Sequence, residues 1–161
     1  MAEDLRNGAD AADVMWHPTL RELIAFRGDK MEVISIILAT VAAFAAGAGY
    51  YGALAKPWMK ASGVPQDENG QPKNGSNPML YVSGFLCQLI VAGMMRHIFA
   101  LSGIETLGAG LIAGLGIGLF LITPWIALNT FYSMRSKWLI VIDGGYATLA
   151  CAIKGLVLAL F

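Results

Sequence analysis

Hydrophobic residues fall into four long blocks along the chain. Apolar runs occupy about 33–55, 79–101, 106–128 and 138–161, with polar or turn-forming residues between them. A helix needs about 20 apolar residues to cross the hydrocarbon core of a bilayer. Only helices and closed barrels satisfy their own backbone groups in lipid, and these runs lack the alternation of barrel strands. The pattern therefore predicts an all-α fold over 31–161, a four-helix transmembrane bundle. Residues 61–78 hold Pro65, Pro72 and Pro78 among Gly, Asn and Gln, which predicts an exposed loop. Ser102-Gly103-Ile104-Glu105 reads as a tight turn, making spans two and three antiparallel neighbours. Asn129 to Lys137 reads as a short loop. The third span is expected to bend or fray at Thr123-Pro124, because Pro124 has no N–H and crowds the preceding turn.

Residues 1–30 form a mixed-charge tail. Thr19 and Glu22 stand at capping-box spacing just after Pro18, and Leu20, Leu23, Ile24 and Phe26 follow. These residues predict a short amphipathic helix at about 18–27, ended by Gly28 and lying on the membrane surface. A disordered tail is the alternative. The first apolar run is too long for the core of a signal peptide and reads as a retained span. No lipidation or organelle address is visible, so a plasma membrane of bacterial type is the expected location.

Charged residues make up 14% of the chain, against about 25% in soluble domains. The formal net charge is zero, so no nucleic-acid partner is expected. Cys87 and Cys151 lie in separate runs without CxxC or metal-ligand spacing. They read as packing residues, or alternatively as an interhelical redox pair. No paired carboxylates, nucleophile motif, phosphate-binding loop or metal constellation is present, so neither an enzyme nor a cofactor is expected. His17 lies in the tail, which argues against a bis-histidine haem site with His97.

Four spans place both termini on one side and the loops at 61–78 and 129–137 on the other. Lys56, Lys60, Lys73, Arg135 and Lys137 flank the loop side, against Arg21, Arg27 and Lys30 on the terminal side. The positive-inside rule then leans toward cytoplasmic loops. Tyr50, Tyr51, Trp58, Tyr81, Trp125, Tyr132 and Trp138 also map to the loop side. They read as an interfacial belt, or alternatively as a recognition surface for a partner or headgroup.

Small residues recur at steps of four. The third span carries Gly110, Gly114 and Gly118, with Gly108 and Gly116 on another face. The first span carries Ala39, Ala43 and Gly47, and the fourth Ala147, Cys151 and Gly155. Such rows let helices approach closely, where van der Waals contact replaces the hydrophobic drive that lipid removes. They predict packing among these helices within the bundle, or a homodimer.

Three charges fall inside the spans: Arg96, Asp143 and Lys154. Intramembrane charges are expensive and mark functional sites by default. Arg96 and Lys154 lie near helix ends on the terminal side and are long enough to snorkel there, with Glu105 in reach. Asp143 lies toward the loop side, where Lys56, Lys60, Arg135 and Lys137 are its possible partners. The plain reading is two interfacial charge clusters. The functional reading is a polar path or ligand site with Asp143 at one mouth and Arg96 with Lys154 at the other, suited to an anionic or zwitterionic substrate.

Ala42-Ala43-Phe44 through Gly49-Tyr50-Tyr51, then Lys56-Pro57-Trp58-Met59, resembles the first-helix signature of domain-of-unknown-function family 1761, small and mostly bacterial membrane proteins. The glycine-rich third span closing in Thr123-Pro124 is similar to the family pattern. So is Trp138-Leu139-Ile140 leading to Ile142-Asp143-Gly144-Gly145-Tyr146. The likeness covers about 33–161. Two features depart from it: Tyr50-Tyr51 stands where the family commonly has Trp-Tyr, and the tail of about 30 residues is extra. The resemblance implies four membrane helices and no assigned activity. Two functions are expected from these readings. The first is a non-enzymatic accessory or structural subunit, associating in the lipid bilayer with other membrane subunits or with itself. The second is a small transporter or channel using Arg96, Asp143 and Lys154.

Overall fold

The computed structural model describes residues 30–73 and 75–161. The amphipathic helix expected at 18–27 lies outside them. The features below belong to the compact unit Ser35–Phe161.

Four helices are long and apolar enough to cross a membrane: Lys30–Ala53, Pro78–Ser102, Leu107–Tyr132 and Trp138–Leu158. We call the first α1. Leu54 breaks the helix, and the short α2 (Ala55–Ser62) follows, closed by Gly63 at φ 66°. The loop after it is ordered by Asp67, whose Oδ1 accepts from the N–H groups of Asn69 at 2.9 Å and Gln71 at 2.8 Å. α3 (Pro78–Ser102) begins with Asn77 capping the Met79 N–H at 3.0 Å and Pro78 in the first turn, where no N–H is needed. Gly103 ends it in the left-handed conformation. Thr106 then caps α4 (Leu107–Ile117) through the Ala109 N–H.

The third span does not fray at Pro124. A π-helical turn, Gly118–Ile122, joins α4 to α5 (Thr123–Tyr132), so the span runs unbroken to Tyr132. The Thr123 N–H bonds Gly118 O, the five-residue spacing of a π-turn. The Thr123 hydroxyl lies 2.8 Å from the same oxygen. One extra residue in the turn gives the proline ring room, and Gly118 O accepts from both the N–H and the hydroxyl of Thr123.

The last helix, α6 (Trp138–Leu158), is the hub. It buries nine residues, against three for α3. Gly110, Gly114 and Gly118 face it. A Cβ on Gly114 would strike Cys151 O, one on Gly110 would strike Gly155 O, and one on Gly118 would come within 2.5 Å of Thr148 Cα. Gly108 and Gly116 face open space. α1 meets α6 through two reciprocal tyrosine–glycine contacts. The Tyr146 ring fills the space where Gly47 lacks a Cβ, and the Tyr50 hydroxyl occupies the space over Gly145. Ala39 and Ala43 are fully buried, and Ala39 joins Ala92, Met95, Phe99, Cys151 and Leu158 in the main apolar core. Large apolar side chains such as Val41, Ile90, Ile112 and Phe120 point outward, as lipid-facing residues must.

Candidate functional site

The two charges of α6 project from one face. Asp143 and Lys154 are eleven residues apart (154 − 143), about 16 Å of helical rise, and that spacing is close to three full turns. Both line a single cavity of about 200 Å³ over α6, walled by α3 and by the π-turn and α5. Its middle is apolar, with Val91, Ile122, Ile126, Ala147 and Ala150.

At the Asp143 end, α1 and α2 supply the donors. The Tyr51 hydroxyl donates to Asp143 Oδ1 at 2.9 Å, and Trp58 Nε1 donates to the same oxygen at 3.1 Å. The break at Leu54 is what turns α2 so that Trp58 reaches back to the carboxylate. Tyr51 and Trp58 pack edge to face at 6.0 Å, and Tyr51 packs against Tyr146 in the same way at 5.0 Å. Tyr50 donates to the Ile142 carbonyl at 3.0 Å, fixing the turn of α6 that carries Asp143. Below them lies a small apolar cluster of Ala61, Leu139 and Ile142.

At the other end, Lys154 is 1% exposed and donates to Gln88 Oε1. An ammonium only donates, so that bond fixes the Gln88 amide, and its Nε2 donates to the Tyr146 hydroxyl at 3.1 Å. The Tyr146 hydroxyl in turn donates to the Ala43 carbonyl at 3.2 Å. Lys154, Gln88, Tyr146 and Ala43 thus form one directed chain of hydrogen bonds across α6, α3 and α1.

The placement differs from the sequence expectation in three respects. Lys154 does not snorkel toward the terminal side; its stem turns inward, because Gln88 on α3 offers an acceptor. Asp143 takes its hydrogen bonds from Tyr51 and Trp58, while Arg135, one of the expected cations, acts on it by charge without a hydrogen bond. Arg96 is not grouped with Lys154. It lines a separate cavity of about 510 Å³ with Phe99, Glu105 and Leu158. The aromatic residues of the loop side also divide. Tyr50, Tyr51 and Trp58 turn inward to α6, whereas Tyr81, Trp125, Tyr132 and Trp138 point outward. Lys56 is exposed, and nothing lies within 4 Å of a Cβ on Gly49.

Sequence reasoning passed over Gln88. The signal was present, a lone amide ten residues into an apolar span, but uncharged side chains cost less in lipid and draw less notice. Among the described residues no group of histidine, cysteine and acidic side chains has the geometry to hold a metal.

The glycines of Ile142-Asp143-Gly144-Gly145-Tyr146 have physical roles in this arrangement. A Cβ on Gly144 would come within 2.6 Å of the Thr123 methyl carbon beside the π-turn, and Gly145 admits Tyr50. The family model described as "Protein of unknown function (DUF1761)" matches residues 34–159, so the chain belongs to that family. No curated protein and no solved structure matches the chain.

Proposed function

We propose that this family member binds a small polar solute inside the membrane and passes it across, with Asp143 and Lys154 as the charged poles of the site. The observation that carries the reading is that both charges line one cavity. A carboxylate or ammonium at the middle of a helix in lipid costs about 2.5–3.5 kcal/mol on insertion scales. A side chain serving only as an interfacial anchor avoids that cost by reaching the headgroups. Lys154, with its long stem, instead points into the bundle. The reading is of a binding and transport protein, not an enzyme.

The test is isosmotic swelling of liposomes containing the full chain, with glycine, 4-aminobutanoate, choline chloride and erythritol as osmolytes. At least one should enter faster than into protein-free liposomes. Asp143→Asn keeps an acceptor for Tyr51 and Trp58, so it should lose that increment while retaining its helical circular dichroism. Equal rates for wild type and protein-free liposomes would contradict the reading.

One observation favours a second role beside it. α3 buries only Ala92, Met95 and Phe99 along its 25 residues. Its open flank suits a second copy or another membrane subunit, as expected for an accessory protein. Native mass spectrometry from nanodiscs checks this: a reproducible assembly supports it, and a lone monomer counts against it.

A further inference from the structure

The chemistry of the cavity narrows the solute, granted the binding reading above. Tyr51 and Trp58 both donate to Oδ1 of Asp143. No described residue donates a hydrogen bond to Oδ2, and Asp143 is half-buried and lines the cavity. Beside it the Tyr51 and Tyr146 rings line the cavity. Their edge-to-face packing at 5.0 Å presents aromatic surface next to a carboxylate, a combination that attracts an organic cation by charge and by ring quadrupole together. At the far end Lys154 has three donor hydrogens and Gln88 Oε1 uses one of them.

The net charge of the two poles is zero. A simple cation would neutralise Asp143 and leave Lys154 as an excess charge in a low-dielectric site, and a simple anion would do the reverse. A buried charge left without its partner costs several kcal/mol. A molecule carrying both charges compensates both poles and adds none. The apolar middle, formed by Val91, Ile122 and Ile126, suits a short hydrocarbon body between them. A cavity of about 150 Å³ accommodates benzene, so one of about 200 Å³ holds roughly seven to ten non-hydrogen atoms.

We propose that the site takes a small ω-amino acid or similar zwitterion, its ammonium against Asp143 Oδ2 between Tyr51 and Tyr146, and its acid group at Lys154. Because Lys154 reaches back along α6 to Gln88, the poles are closer than the rise between their α-carbons, and ligand length is selected.

Calorimetric titration of the full chain in nanodiscs tests this with the series from 3-aminopropanoate to 6-aminohexanoate, and with pentylamine and pentanoate as single-charge controls. One chain length should bind best, and each control about tenfold or more weaker than 5-aminopentanoate, a difference of about 1.4 kcal/mol. In Lys154→Met, 5-aminopentanoate should lose its advantage over pentylamine. If a control binds wild type as tightly as the zwitterions, the solute class is overturned while the polar site stands. If no zwitterion binds, the class is overturned, and the swelling assay then decides whether the transport reading falls with it.

Discussion

Asp143 is the residue on which the site turns. Its Oδ1 accepts from two donors on different helices, Tyr51 on α1 and Trp58 on α2. Interhelical hydrogen bonds in membranes average about 0.6 kcal/mol, and bonds to charged groups reach about 1.5–3 kcal/mol. Tyr51→Phe and Trp58→Phe are each expected to destabilise the protein by about 1 kcal/mol in a reversible unfolding titration. The double variant should lose more than the sum, because the last donor then leaves the same oxygen, and strict additivity would show that the two donors act independently. The importance of Asp143 was legible in the sequence, since a carboxylate within an apolar run is conspicuous. The fate of Lys154 was not. Its stem is long enough to reach either headgroups or core, and only Gln88, on a helix whose rotation the sequence leaves open, decides between them.

At the scale of elements, the α4–α6 contact makes a sharp pair of expectations. Gly114 lies against the Cys151 backbone, whereas Gly116, half a turn away, faces open space. Gly114→Ala should destabilise by about 1–3 kcal/mol through overpacking. Gly116→Ala should be neutral or stabilising by up to about 1 kcal/mol, because alanine is the better helix former. Equal effects in a thermal unfolding series would contradict the close approach. The four spans were readable from run length, and the turn at Ser102–Glu105 from its glycine between two apolar runs. The course of the third span was not. Proline announces a missing N–H, and whether a helix then breaks or inserts a π-turn depends on room beside it. Here α6 leaves that room at Gly144, within 2.6 Å of whose would-be Cβ the Thr123 methyl carbon packs, while the Thr123 hydroxyl lies 3.1 Å from Gly144 O. Likewise Tyr50, Tyr51 and Trp58 have the composition of an interfacial belt. What holds them inward is the space over Gly145 for Tyr50 and the Asp143 carboxylate for Tyr51 and Trp58, which are tertiary facts.

For the molecule as a whole, the tight pairing of α6 with the third span and with α1 contrasts with the lightly buried α3. That contrast leaves the cavity beside α6, reaching the flank of the bundle at Cys87, which is exposed and lines it. Cys87 is nine residues into α3 (87 − 78), about 14 Å from the helix start, and so near the middle of the membrane. Lipid there would shield it, since the reactive thiolate needs water. The most direct measurement is modification of Cys87 by a charged, membrane-impermeant methanethiosulfonate, in a Cys151→Ala background reconstituted in sealed liposomes. A water-filled solute site predicts labelling of intact liposomes, slowed when the binding zwitterion is present. Labelling that begins only after detergent is added would show a dry, lipid-covered cleft and contradict the account.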